Sequence, residues 1–397
     1  MSQDPDGSPT VIDLFCGAGG LSNGLEQAGF RTIAGIDFDR HAIATYKQNH
    51  PNALVLQRDI STVTADELRD ALAGRDLDLI AGGPSCQGFS TIGKRIEDDP
   101  RNVLFKHFAR LVRELRPKFF LMENVKGLLT YRKGYFQQLI AESFREAGYK
   151  VIANVVCAAD YGVPQLRNRI VFIGTRLDVS LSFPEPTHDG SDLFSGGKPY
   201  VTVAEAIGDL PLLHGNLDQD KWEYASAPQN AYQRYLRGGS RSKFVTLHRA
   251  NGMSDAAREV VSLVKEGEGL RSIPPELLPE RFKKMRRIST GDLRKDCTTL
   301  YHRLSRNAPS YTITCYFRNV ASGPFVHPLE DRSLSYREAA RLMSFPDTYT
   351  FCGSMLTRQI GNAVPPLLAK ALGKHIRYLL AVRDLRGILQ TELATAQ

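Results

Sequence analysis

The sequence predicts an α/β protein: a Rossmann-like, doubly wound domain joined to a smaller domain of irregular structure. Three observations predict it. Short apolar runs alternate with amphipathic stretches from Thr10 to about Thr175, glycines cluster just after the first run, and the composition shifts near Ser182-Phe183-Pro184-Glu185-Pro186. Strand and helix in regular alternation give a parallel sheet covered on both faces, because each crossover helix packs back onto the strands it joins.

Thr10–Phe15 is the first apolar strand, and Leu21–Ala28 is a helix reached through a glycine-rich turn. Thr32–Ile36 is the second strand, followed by a helix over Arg40–Asn49. Leu54–Leu56 and Asp78–Ala81 are two more strands with a helix between them. In Val103, Leu104, Phe108, Leu111, Val112 and Leu115 apolar residues recur three and four apart, the spacing of one helix face. Pro117 ends that helix, and Phe119–Met122 is the next buried strand. Val151–Cys157 and Ile170–Gly174 follow with no helix between, which predicts an antiparallel pair at one edge of the sheet. From Pro184 to about Arg318 the chain is richer in proline, glycine and cations, and no period is readable. Helical spacing returns in Ser335–Met343 and Pro366–Leu380. The expected division is residues 1–184 plus 359–397 as the ligand-binding domain, 185–318 as the second domain and 319–358 as a hinge segment.

At 397 residues the chain is long enough for two domains. No apolar run is long enough for a membrane helix, and the first residues are polar and acidic, so neither a span nor a secretory signal is expected. Six cysteines without a C-x-x-C pair predict reduced thiols, no metal site and a cytoplasmic, nucleoid-associated location. Lys and Arg number 51 against 43 Asp and Glu, a net of +8 that suits a phosphate backbone but is shared by many other proteins. Cations concentrate in Arg281-Phe282-Lys283-Lys284-Met285-Arg286-Arg287, and again at Arg234, Arg237, Arg241, Lys243 and Arg249.

Asp13-Leu14-Phe15-Cys16-Gly17-Ala18-Gly19-Gly20-Leu21 places glycines at a strand-to-helix turn, where the missing Cβ lets backbone approach a ligand closely. Asp37 ends the second strand, where an acid hydrogen-bonds a ribose hydroxyl in nucleoside-binding folds. These two features fit a nicotinamide dinucleotide as well as S-adenosylmethionine. Cys86, in Gly82-Gly83-Pro84-Ser85-Cys86-Gln87-Gly88-Phe89-Ser90, follows the carboxyl end of a parallel strand, where such sheets place their ligands. Most cysteines are small buried hydrophobes, and Cys16, Cys157, Cys297, Cys315 and Cys352 fit that description.

From about Val11 to Gly373, outside the middle segment, the chain resembles the DNA (cytosine-5)-methyltransferases of bacterial restriction–modification systems, its motifs falling in the family's order. Asp13–Gly20 resembles the first motif, Glu123-Asn124-Val125 the family's Glu-Asn-Val, and Gln165-Leu166-Arg167-Asn168-Arg169 its Gln-x-Arg-x-Arg. Arg332–Pro346 resembles the ninth motif and Gln359-Ile360-Gly361-Asn362-Ala363-Val364 the tenth. The resemblance implies a class I methyltransferase fold, S-adenosylmethionine as cofactor, double-stranded DNA as substrate and a middle segment that reads the target. It further implies a cognate restriction endonuclease acting on the same site, and a monomeric enzyme. Cofactor contacts are implied at Phe15 (against the adenine), Gly17, Gly19, Gly20 and Leu21, at Asp37 (the ribose acid) and at Phe38. Asp59 (on the adenine amino group), Ile60, Pro84, Asn362 and Ala363 complete that set. Cys86 matches the nucleophile, Glu123 and Arg169 the groups on the base, and Arg167 a residue supporting the site. Arg101 and Thr312 match DNA-contacting positions.

The implied chemistry suits these residue types. Cytosine C5 is too weak a nucleophile to take a methyl group directly, and a thiolate added at C6 makes it enamine-like. A carboxyl at N3 and the exocyclic amine stabilises the charge that develops there. A target inside a duplex must be flipped out of the stack. Two departures stand out: Ser85 replaces the proline common before the catalytic cysteine, and Ala363 stands where many members carry serine. Alternatives are the tRNA-methylating branch of the same fold, which usually has a compact middle segment, and a catalytically silent DNA-binding relative, against which intact Cys86, Glu123 and Arg169 weigh.

Overall fold

The computed structural model describes residues 7–84, 104–130, 134–190, 197–283 and 299–395. The chain forms two compact units: Met1–Tyr161, Asn168–Pro186 and Ala363–Gln397 make the first, Gly162–Arg167 and Thr187–Asn362 the second.

The first unit is built on β1 (Thr10–Leu14), α1 (Gly20–Gln27), β2 (Arg31–Asp37), α2 (Arg40–Asn49), β3 (Leu54–Gln57), α3 (Ala65–Leu72) and β4 (Leu79–Gly82). It continues through α4 (Leu104–Leu115), β5 (Phe119–Val125), the short α5 (Gly127–Thr130), α6 (Tyr135–Arg145) and β6 (Lys150–Cys157). The two-residue β7 (Gln165–Leu166) belongs to the second unit, and β8 (Asn168–Thr175) returns to the first. The strands form a seven-stranded sheet in the order β3-β2-β1-β4-β5-β8-β6. The first five run parallel, as expected for the doubly wound fold. Strands β6 and β8 do pair antiparallel, but β8 is inserted between β5 and β6 and runs antiparallel to both. The reason lies in the side chains. Ile170, Val171, Phe172 and Ile173 are all buried, so β8 needs cover on both faces and takes an inner place. In β6 only Val156 is fully covered, which suits an edge.

Local chemistry sets the element ends. Asp39 caps α2 by accepting the amides of His41 and Ala42, and Thr64 with Glu67 forms a capping box on α3. A Cβ on Gly24 would lie 2.2 Å from the Pro366 carbonyl oxygen, so this glycine is what lets α1 approach the final helix of the unit.

The second unit holds α7 (Val203–Ile207), β9 (Trp222–Glu223), α8 (Ala231–Arg237), β10 (Phe244–Val245), α9 (Asp255–Ser262) and α10 (Glu280–Lys283). It ends with β11 (Ser310–Tyr311), α11 (Tyr336–Leu342) and α12 (Leu356–Gly361), after which α13 (Pro366–Thr395) completes the first unit. Residues 319–358, read from sequence as a hinge, lie within this second unit. Its organising feature is polar. Helix α11 is buried at Arg337, Glu338, Ala339, Ala340, Arg341 and Leu342, which leaves it no solvent face past its first residue. Its charges are therefore paired. Arg332 donates two bonds to Glu338, at 2.8 and 2.7 Å, and Arg341 bonds Asp347, Asp209 and the Ala206 carbonyl. Ser335 and Glu338 form the capping box that starts the helix. Among the described residues, no element between 187 and 318 is longer than the eight residues of α9, too short for an apolar period to be read from the sequence. Among the described residues, no helix is long and apolar enough to cross a membrane.

Candidate active site

Parallel strands present their carboxyl ends at one edge, and here that edge carries the expected residues. Phe15 follows β1, Asp37 ends β2, Asp59 lies two residues past β3, Pro84 two past β4, and Glu123 lies two residues before the end of β5. Because β8 runs the other way, its start reaches the same edge, with Arg169 opposite Val125. Side chains two apart on a strand share a face, so Arg169 and Glu123 are diagonal neighbours. They form an ion pair, Nε to Oε1 at 2.8 Å, with both side chains about seven-eighths covered. Burial pushes the Arg169 guanidinium down from its ordinary value, and the Glu123 carboxylate opposes that shift. A Cβ on Gly83 would lie 3.2 Å from Glu123 Oε2, so Gly83 leaves room for the carboxylate.

Cys86 and Arg101 lie outside the described residues, but the start of their loop is held. Asn124 donates from Nδ2 to the Pro84 carbonyl oxygen at 3.0 Å while its Oδ1 accepts the Val125 amide. Asn124 thereby ties the segment entering the Cys86 loop to the strand that carries Glu123. Its signal in the sequence is an asparagine beside the acid at a strand end.

The glycine turn has the backbone expected of a ligand cradle. Phe15, Gly17 and Gly19 have φ of 63°, 53° and 89°, in the left-handed region, and no atom lies within 4 Å of a Cβ built on Gly17. Helix α1 begins with no side-chain cap, so its first amides are open to an acceptor. Asp37 is locked at the loop: Oδ2 accepts the Gly17 amide and Oδ1 the Asp39 amide, each at 2.9 Å. Beside it Phe38 is 70% exposed, an apolar ring without cover. Asp59 is exposed and caps a 3₁₀ turn through the Ser61 amide, while Ile60 is buried in the core. Gly20 and Leu21 are buried in the first turn of α1. An acid presented beside open backbone amides and an uncovered ring fits a nucleoside that also carries a carboxylate, the features of S-adenosylmethionine.

Behind this turn stands a buried chain absent from the sequence reading. Ser22 Oγ lies 2.6 Å from Asp13 Oδ2 and 2.7 Å from Tyr46 Oη, and Asp13 Oδ1 is buried without a partner. Burial, only partly offset by the Ser22 bond and reinforced by the charge of Asp37, pushes the Asp13 carboxyl up to about 7. Between pH 3.8 and about 7 the unfolded chain ionises Asp13 while the folded chain keeps it protonated, so stability falls as pH rises through that window and levels above it. Asp13→Asn is expected to remove this loss and, between pH 4 and 8, to gain up to ~4 kcal/mol over the native chain. Urea unfolding at both pH values measures it; parallel curves for the two proteins would contradict it.

Arg167, Thr312 and Asn362 belong to the second unit. Arg167 is in the second unit and 2% exposed, with Nη1 donating to the carbonyl oxygens of Ile313 (2.9 Å) and Gly361 (3.2 Å). Thr312 Oγ1 donates to the Leu166 carbonyl oxygen at 2.9 Å. Asn362 is the exposed C-cap of α12, and Ala363 opens the last segment of the first unit. Cys16 is buried as anticipated, whereas Cys157, Cys315 and Cys352 are only half-buried. Of the clustered cations, Arg237 is committed to Asp209 and stacks 3.6 Å from the Tyr224 ring, so it is structural. Most of the Arg281–Arg287 stretch lies outside the described residues.

Strand ends carrying a glycine turn, an acid beside it and a buried Glu–Arg pair are the layout of a Rossmann-like enzyme domain. Comparison with known proteins names the family. The family model for C-5 cytosine-specific DNA methylase matches residues 9–378. The chain is similar to the Type II methyltransferase M1.HphI of Haemophilus parahaemolyticus, 39% identical over 93% of this chain and 87% of that one. It is 37% identical to the Type II methyltransferase M.DdeI of Desulfomicrobium norvegicum, over 93% of this chain and 88% of that one. Among solved structures, a DNA modification methyltransferase encoded within an E. coli prophage aligns with a TM-score of 0.73 and 29% identity, over 94% of this chain and 100% of that one. Spodoptera frugiperda DNMT2 shares the fold, with a TM-score of 0.58 at 17% identity over 93% of this chain and 99% of that one. The chain belongs to the C-5 cytosine-specific DNA methylase family and is a DNA cytosine-5 methyltransferase.

Proposed function

We propose that the chain methylates C5 of a cytosine within a specific sequence of double-stranded DNA, as the modification enzyme of a restriction–modification system. The observation that carries this reading is the Glu123–Arg169 pair at the sheet edge, with Asn124 tying Pro84, two residues before Cys86, to the same strand. When bound, S-adenosylmethionine supplies an electrophilic methyl group. Asp37, the Gly17–Gly20 turn and the open start of α1 would hold it, with Phe15, Phe38 and Asp59 around the adenosine and Leu21, Ile60, Pro84 and Ala363 as further contacts.

The protein's part of the reaction is as follows. The Cys86 thiolate adds to C6 of the flipped cytosine, forming a C–S bond and raising electron density at C5. Glu123 hydrogen-bonds N3 and the exocyclic amine, and Arg169, held by Glu123, bonds the base carbonyl oxygen. After C5 gains its methyl group, loss of the C5 proton returns the electron pair that expels Cys86. Arg167 acts as a positioning residue rather than a reacting one, because its guanidinium is buried against backbone carbonyls. Arg101 contacts the DNA backbone, and Thr312 is a further DNA contact. The enzyme works as a cytoplasmic monomer on DNA, with a cognate endonuclease cutting the same unmethylated site.

Transfer of labelled methyl from S-adenosylmethionine to duplex DNA, with tRNA in parallel, tests the reading; labelling of tRNA alone would replace it with the RNA-acting alternative. Asp37→Ala is expected to weaken S-adenosylmethionine binding about 10–100-fold, the value of a hydrogen bond to a charged group. Calorimetry showing unchanged affinity would contradict the assignment of Asp37.

A further inference from the structure

The second unit carries a two-stranded ribbon, β7 paired in parallel with β11, whose inward side chains are unusually well tied. Gln165 donates from Nε2 to the Leu342 carbonyl oxygen and accepts the Ile313 amide at Oε1, each at 3.0 Å. Ser310 bonds the Pro164 carbonyl oxygen through both its amide and its hydroxyl. Strand alternation then drives the register partners Tyr311 and Leu166 outward, leaving them 43% and 41% exposed. So many buried bonds hold two large apolar side chains in solvent at a set position.

Tyr311 does not stand on a flat surface. It lines a hollow of about 300 Å³, with His302, Arg271, Ser272 and Gly269 along its walls. The His302 ring meets Tyr311 edge-on, with centroids 5.0 Å apart. Partial burial holds His302 below its usual range, so at neutral pH its imidazole is neutral and offers one donor and one acceptor. A Cβ on Gly269 would lie 3.1 Å from His302 Nδ1, so the glycine leaves the imidazole its place. Arg271 is exposed and brings a cationic donor fork to the hollow. An aromatic wall, a neutral imidazole and a guanidinium together suit a nucleobase: a face to pack on, mixed donors and acceptors, and a fork for a purine edge.

We propose that this hollow reads one base of the DNA target, with Tyr311 packing against that base or its sugar and Arg271 and His302 discriminating its edge. This rests on the DNA methyltransferase reading above and adds specificity-determining residues to it.

The test begins with bisulfite sequencing of a plasmid methylated by the wild-type chain, which gives its target. Methylation kinetics follow on duplexes carrying every single-base change in that target, for wild type, Arg271→Ala, His302→Ala, Tyr311→Ala and Tyr311→Phe. Tyr311→Ala and Arg271→Ala are expected to lower kcat/KM on the intended target about 10–100-fold, the range for loss of one base contact. They should also flatten discrimination at one and the same position, while Tyr311→Phe, which keeps the ring, stays near wild type. Tyr311 and Arg271 are exposed, so melting temperatures should be unchanged. Equal losses on every duplex, with discrimination intact, would make the hollow a phosphate contact and overturn the proposal, as would no loss at all. A wild-type chain inert on every duplex would instead overturn the methyltransferase reading, and this one with it.

Discussion

Cys86→Ser is expected to lower methyl transfer to duplex DNA by about 10³-fold or more, because the attacking group of a covalent mechanism is removed. A thiol with a pKa of roughly 8.5 supplies usable thiolate near neutrality, whereas the serine hydroxyl does not ionise there without a strong base at hand. Glu123 is engaged with Arg169 at 2.8 Å, and Asn124 with the Pro84 carbonyl oxygen at 3.0 Å. S-adenosylmethionine affinity should change little, because the glycine turn and Asp37 belong to other strand ends. Single-turnover transfer and calorimetry on the same preparation separate the two effects. Transfer at the wild-type rate would remove Cys86 from the mechanism; equal loss of cofactor affinity would make the substitution a structural lesion.

The second large effect is on stability. Arg341 is fully buried, and its guanidinium is shared among Asp209, Asp347 and the Ala206 carbonyl oxygen. Its two carboxylate partners hold it above its ordinary value against the cost of burial, and Asp347 is in turn held below the usual carboxylate range. Arg341→Met would keep much of the volume and leave the buried Asp209 to Arg237, and the buried Asp347 to Arg337 and Tyr224. Removing one partner of a buried ion pair costs about 3–5 kcal/mol, because the remaining charge is stranded. Urea unfolding should register a loss of that size. A loss under ~1 kcal/mol would mean that neighbouring arginines take over both acids.

The Gln-x-Arg-x-Arg stretch shows how far sequence reaches. The resemblance implies different roles for its two arginines, Arg169 on the base and Arg167 supporting the site. In the structure the boundary between the units passes between them: Arg167 is folded into the second unit against backbone carbonyls, and Arg169 is paired with Glu123 in the first. What separates them is the partner each finds: backbone carbonyl oxygens for Arg167, the Glu123 carboxylate for Arg169. The hollow beside Tyr311 was equally invisible, because its walls come from residues 267–272, 299–302 and 311, which are remote in sequence.

The sequence by itself determined the parallel strands of the first unit and the residues at their carboxyl ends, because apolar period and glycine turns are local signals. It also determined the family, through motifs whose order and spacing survive without any coordinates. The place of β8 inside the sheet, the Asp13–Ser22–Tyr46 chain, the separate fates of Arg167 and Arg169 and the polar core around Arg341 were decided only by tertiary structure. Each of these depends on which distant groups satisfy a buried charge, hydroxyl or apolar face, and that pairing is a property of the folded chain rather than of any stretch within it.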